Sequence, residues 1–119
     1  MDGAYLVIAR GEIDLASAEL LGGALQEALN AAQPAVVVDL MQVEFMDSSG
    51  LHLLLNALRR LTRQGRGLAV ACCDGPVQRV FDATRLAATF ATRPSREAAL
   101  DALSERRRSD PSTSDGSGR

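Results

Sequence analysis

At 119 residues, 46% hydrophobic and with a formal charge of −2, the chain suits a single domain that buries its own core without disulfides or metals as staples. Only 3% of residues are aromatic and none is Trp, so that core must be built mainly from Leu, Val, Ile and Ala. All 13 basic residues are Arg, mixed with acids along the chain, which gives no electrostatic case for nucleic acid or membrane as partner. No segment approaches the roughly 20 apolar residues of a membrane-spanning helix. Met1-Asp2-Gly3-Ala4-Tyr5 lacks the basic start and cleavage pattern of a signal peptide, so a cytoplasmic protein is expected.

Tyr5 to Arg10 reads as a strand ending at Gly11, with Gly11 to Leu15 its last residues or a turn. From about Ser17 to Ala31 or Ala32 the pattern is helical, with Leu21, Ala24, Leu25, Ala28 and Leu29 on the core side. Gly22-Gly23 costs that helix about 1 kcal/mol per glycine relative to Ala, so packing must hold it. After Pro34, the β-branched run Ala35 to Leu40 reads as a buried strand. Met41 to Met46 reads as a connector whose Phe45 is expected to plug the core beneath the following turn. Leu51, Leu54, Leu55, Leu58 and Leu61 mark one face of a helix from about Ser48 to Gln64, stopped by Gly65. Its outward stripe is His52, Asn56, Arg59, Arg60 and Arg63.

Leu68 to Cys72 is the next strand. Cys72 and Cys73, as strand neighbours, point to opposite faces and could bridge only with strain, so they read as two buried thiols. Pro76 opens a short helix with Val77, Val80 and Phe81 inward, and Ala88 to Thr92 reads as a weak, short strand. A last helix runs from Pro94 or Ser95 to about Arg106, with Ala98, Ala99, Ala102 and Leu103 as its apolar stripe. Repeated strand–helix units predict an α/β domain over residues 1–104 with a partly parallel sheet. Residues 105–119 contain no large apolar side chain and are expected to form a disordered polar tail. That tail holds four Arg and three acids, net +1, leaving nine Arg against twelve acids, net −3, on the body.

The candidate chemistry gathers at Asp47-Ser48-Ser49-Gly50, between a strand and a helix, where Asp47 or Ser48 is the natural N-cap. Ser48 and His52 stand four residues apart, as a hydrolase pair could. No Gly-x-Ser-x-Gly elbow accompanies them and nothing orients the imidazole, so His52 reads as a solvated helix residue. One His and two vicinal Cys cannot supply a metal site, and Gly65-Arg66-Gly67 is a helix stop without the spacing or Lys of a phosphate loop. No catalytic residue and no cofactor is therefore expected. Asp14 and Asp47 each end a strand, where the loops of α/β sheets gather into a site, and would be close if the two strands are neighbours. Capping or solvation is the equal alternative for each. Ser48 as a phosphoacceptor would place about −1.5 to −2 charge at a helix start able to hold it with about 0.3–2 kcal/mol. The effect would fall on a partner docked there; the plain alternative is a serine that only caps.

These residues resemble the STAS domain family, and within it the anti-sigma factor antagonists of bacteria, over about residues 4–104. Val43-Glu44-Phe45-Met46-Asp47-Ser48-Ser49-Gly50-Leu51 is similar to the family's phosphorylation motif, and Gly11-Glu12-Ile13-Asp14 to its Gly-Glu-Leu-Asp signature. Gln64-Gly65-Arg66-Gly67-Leu68 and Val77-Gln78-Arg79-Val80-Phe81-Asp82 resemble its later signatures. The resemblance implies one STAS-like α/β domain, with a mixed, mostly parallel sheet flanked by about four helices. It implies phosphorylation of Ser48, with Ser49 as runner-up, by an anti-sigma factor that is also a serine kinase using ATP and magnesium. A serine phosphatase would reset it, and Asp14, Asp47, Ser48, Ser49, Gly50 and His52 would face the partner. The unphosphorylated form, a monomer or weak dimer, would release a sigma factor; the alternative is a STAS-type regulatory subunit of a transport or lipid-trafficking complex. Family members usually begin with another strand, where here only Met1 to Ala4 precede Tyr5, so an edge strand is absent or the start lies upstream. His52 stands where the family commonly has a small or different side chain.

Overall fold

The computed structural model describes residues 3–109, with side chains to residue 105. Seven elements follow in order: β1 (Ala4–Ile13), α1 (Ala18–Asn30), β2 (Ala35–Met46), α2 (Ser48–Arg63), β3 (Gly67–Ala71), α3 (Pro76–Ala83) and α4 (Arg96–Ser109). The three strands run parallel in the order β1-β2-β3. A central parallel strand is covered on both faces and carries apolar side chains in succession, and Val36, Val37 and Val38 are all fully buried. Val36 and Val38 join Leu25, Leu54, Leu61 and Phe81 in the larger core, under α1, α2 and α3. Val37 faces the other way, with Ala4, Ala35, Ala69 and Ala71, where Ala99, Ala102 and Leu103 of α4 settle on a floor of small side chains.

One buried charge interrupts β2. Asp39 is buried, and its two oxygens are both used: one accepts the Met41 N–H at 2.8 Å, the other Arg96 Nε at 2.6 Å. Leaving that carboxylate without its partner would be costly, so the pair ties the start of α4 to the sheet. A second arginine closes a helix. Helix α1 has no basic residue in its last turn, and Arg66, from the α2–β3 connection, donates to the carbonyls of Ala28 (2.9 Å), Leu29 (3.0 Å) and Gln33 (2.7 Å). A planar guanidinium thus meets the open Leu29 and Gln33 carbonyls and adds a second donor at Ala28, which also accepts the Ala31 N–H.

Three expectations are corrected. The Met41–Met46 connector is strand, and Phe45 is 46% exposed instead of plugging the core. The cause is two register shifts between β1 and β2, at Ile8/Arg10 and Gly11/Glu12, where Gly11 takes φ +77. Such bulges re-phase the side-chain alternation and turn Phe45 outward, while Val43 and Met46 point in. The predicted strand at Ala88–Thr92 is a run of turns, with Ala91 at φ +50. Just past it, Arg93 pairs with the sheet as a single bridge to Ala71, and Phe90 turns into the core edge-on to Phe81 at 5.4 Å between ring centres. Third, Cys72 is buried but Cys73 is exposed. Within the expected tail, α4 continues to Ser109, and residues 110–119 lie outside the described residues.

Candidate functional site

Strands β1 and β2 end side by side, Ile13 opposite Met46, and the Asp47 N–H donates to the Ile13 carbonyl at 3.0 Å. This last bond of the ladder sets the turn after β1 against the turn that opens α2. The Asp14 and Asp47 turns are therefore neighbours, as adjacent strands require.

The first turn is locked by a residue that the sequence pattern assigned only to a helix start. Asp14 Oδ1 accepts the Ser17 N–H at 3.0 Å, and the Asp14 N–H donates to Ser17 Oγ at 2.9 Å. The Ser17 hydroxyl proton has Glu12 O at 2.9 Å and Asp14 Oδ1 at 3.0 Å as acceptors. The Ser17 N–H first, and its hydroxyl next, hold the Asp14 carboxyl below the usual carboxylate range, so Asp14 is a fixed negative charge. The Asp-x-x-Ser spacing, Asp14 to Ser17, was the signal in the sequence for this reciprocal pair.

In the second turn the capping task falls to Asp47. Its backbone is extended and its Oδ1 accepts the Ser49 N–H at 2.8 Å, satisfying one of the open donors of the first helical turn. Ser48 is the first residue of α2 and is exposed, Ser49 is half-buried, and neither hydroxyl has a hydrogen-bond partner among the described residues. His52 is exposed one turn on, and no hydrogen bond joins it to Ser48. Gly50 is buried: a Cβ there would stand 2.7 Å from Met46 Cγ and 2.8 Å from Ile13 Cγ2. Its place in the turn is thus explained by packing, because only a residue without a side chain lets α2 start directly on the ends of β1 and β2.

Around this polar centre lie apolar side chains that the core does not use: Leu15 (80% exposed), Leu20 (83%), Phe45 and Ile8 (43%). Ile8 and Leu20 line a groove of about 350 Å3 between β1 and α1, which also includes Ser17. Exposed apolar surface next to a fixed polar turn is the composition of a protein-docking site. Among the described residues no three His, Cys, Asp or Glu side chains converge on a point, and no helix is long and apolar enough to cross a membrane.

A parallel α/β sheet with a capped Asp-Ser-Ser-Gly turn at its carboxyl edge agrees with the family match. The chain matches the STAS domain over residues 1–99 and belongs to that family, in its anti-sigma factor antagonist branch. It is 30% identical over 104 residues to an anti-sigma F factor antagonist of Paenibacillus polymyxa, covering 87% of this chain and 86% of that one. An anti-sigma factor antagonist from Mycobacterium paratuberculosis has a crystal structure that matches with a TM-score of 0.79 at 32% identity, over 87% of each chain. The anti-sigma factor antagonist SpoIIAA in its unphosphorylated form matches at 0.70, with 22% identity over 86% of this chain and 89% of that one, a likeness of fold alone.

Proposed function

We propose that the chain is an anti-sigma factor antagonist switched at Ser48. Unphosphorylated, it binds an anti-sigma factor that is also a serine kinase and so frees a sigma factor; phosphorylation of Ser48 by that partner, with ATP and magnesium, ends the complex, and a serine phosphatase restores it. One observation carries the reading. A serine at a helix start is usually a cap, yet here Asp47 is the cap, and the exposed Ser48 hydroxyl has no hydrogen-bond partner among the described residues. Its position is therefore free for modification. Ser49, half-buried behind it, is the less accessible hydroxyl.

The physics of the switch follows from the neighbours. A phosphate on Ser48 gains about 0.3–2 kcal/mol from the open N–H groups and dipole of α2, while the ionised Asp14 on the adjoining turn repels it. These effects oppose each other, so the domain keeps its fold. The partner meets a new dianion beside Asp14 and Asp47. Taking a complex from nearly all bound to nearly all free needs about 5.5 kcal/mol of difference, within reach of an unpaired buried charge. Asp14, Asp47, Ser48, Ser49 and His52 form the contact surface, with Gly50 as the buried seat that holds it in shape.

The test is a pull-down from the source cells with wild type and Ser48→Glu side by side, the captured proteins identified by mass spectrometry. Capture of an anti-sigma factor by wild type and its loss with the variant is the expected result. Recovery of the same membrane transport proteins by both forms would overturn the reading.

A further inference from the structure

Helix α2 is basic while the chain as a whole is acidic. Between Ser48 and Arg63 there are three arginines and no acid, a local +3; with −2 on the whole chain, everything outside α2 sums to −5. All three arginines are exposed. Among the described residues the Arg59 and Arg63 side chains make no hydrogen bond or ion pair, and the Arg60 side chain meets only the neutral amide of Gln26, at 3.0 Å. At about 100° per residue, Ser48, His52, Arg59 and Arg63 fall within about 60° of one another around the helix, a single face running roughly 22 Å from Ser48. Complementing the helix dipole accounts for Arg60 and Arg63 in the last turn. It does not account for Arg59, or for a helix that sets no carboxylate three or four residues from any of its arginines.

We propose that this stripe is a selectivity surface: Arg59 and Arg63 bind an acidic face of the anti-sigma factor whose active site reaches Ser48. The inference rests on the function proposed above and adds the chemistry of the partner. A protein lying over Ser48 and along α2 covers both guanidinium groups, and covering them without counter-charges would be unfavourable. The partner must therefore carry carboxylates about 16–22 Å from the phosphoacceptor, by helix rise, where planar guanidinium groups can grip them in pairs. Those carboxylates would be repelled by the acidic remainder of this chain, so they also set the direction of docking. A partner that is neutral or basic there is rejected. Nucleic acid fits less well, because outside α2 the chain carries a formal charge of −5, which repels phosphates.

The experiment measures binding of the purified anti-sigma factor captured by wild type to four forms of the full chain: wild type, Arg59→Glu/Arg63→Glu, Arg59→Gln/Arg63→Gln and Ser48→Glu. Both double variants are first checked for a melting temperature within about 5 °C of wild type, the glutamine pair serving if the glutamate pair misfolds. The expected result is an affinity loss of at least about tenfold with glutamate, a smaller loss with glutamine, and an association rate less sensitive to salt than that of wild type. If both double variants bind within twofold of wild type while Ser48→Glu abolishes binding, the switch stands and the stripe is idle. Binding of wild type to a 20-nucleotide RNA probe, lost on the same charge reversal, would likewise overturn an acidic protein as the occupant.

Discussion

Gly50→Ala puts a methyl group where Met46 Cγ and Ile13 Cγ2 stand 2.7 and 2.8 Å away. Both side chains are buried, and the contacting atoms are not the free ends of long chains, so backbone or rotamers must shift. Overpacking of this kind costs about 1–3 kcal/mol. Alanine returns at most about 1 kcal/mol of helix propensity, less in a first turn. The net loss is about 1–2 kcal/mol, which for a domain of this size lowers the melting temperature by roughly 5–10 °C. Gly23→Ala is the control: it lies inside α1, where the new Cβ meets nothing within 4 Å beyond its own stretch of helix, and should stabilise by about 0.5–1 kcal/mol. Thermal unfolding followed by circular dichroism reads both. If Gly50→Ala is neutral or stabilising, like its control, α2 is not seated on Ile13 and Met46 and the geometry of the Ser48 turn is wrong.

Arg66→Ala should cost about 1–3 kcal/mol in denaturant unfolding, since it takes the donor from the Leu29 and Gln33 carbonyls while Ala28 keeps the Ala31 N–H, and Arg66→Lys should recover little because one ammonium cannot span three acceptors; a full rescue by lysine would refute the fork geometry. Cys73 is exposed while burial pushes the Cys72 thiol up to about 11, so a thiol reagent should modify one cysteine in the native protein and two after denaturation. Equal labelling rates would contradict this packing. Because the folded Asp14 carboxyl is held below its unfolded value near 3.9, the stability it contributes is complete above that value and fades as pH falls through the folded one. Wild type should therefore lose more stability than Asp14→Asn on going from about pH 5 to below pH 4, and parallel curves would show that the Ser17 lock does not form.

Much of the architecture was legible because single periodicities decided it. The β-branched run with the three successive valines of β2 reads as a buried strand, and the leucine spacing of α2 marks both the helix and its polar stripe. Phe45 was not legible, since its direction depends on two bulges that arise from pairing with β1. The 88–92 segment has strand-like residues, but the αL turn at Ala91 folds Phe90 onto Phe81, a contact no local pattern records. Arg66 reads as part of a helix stop, and Asp39 as one polar residue in a strand; each acquires its role from atoms 33 to 57 residues away. At the site, Asp47 and Ser48 were equally good caps in sequence, and the hydrogen bond to Ser49 separates them. Gly50 was read with the partner-facing residues, and its burial gives it a packing task instead.

The most direct test of the account is to incubate the purified chain with its captured anti-sigma factor, ATP and magnesium, and to map any added phosphoryl group by mass spectrometry while following the complex by size-exclusion chromatography. The account predicts a single phosphoryl group on Ser48, dissociation in step with its appearance, and neither event in Ser48→Ala, which stays bound. A phosphoryl group on another residue, or a complex that persists with Ser48 fully modified, would contradict it.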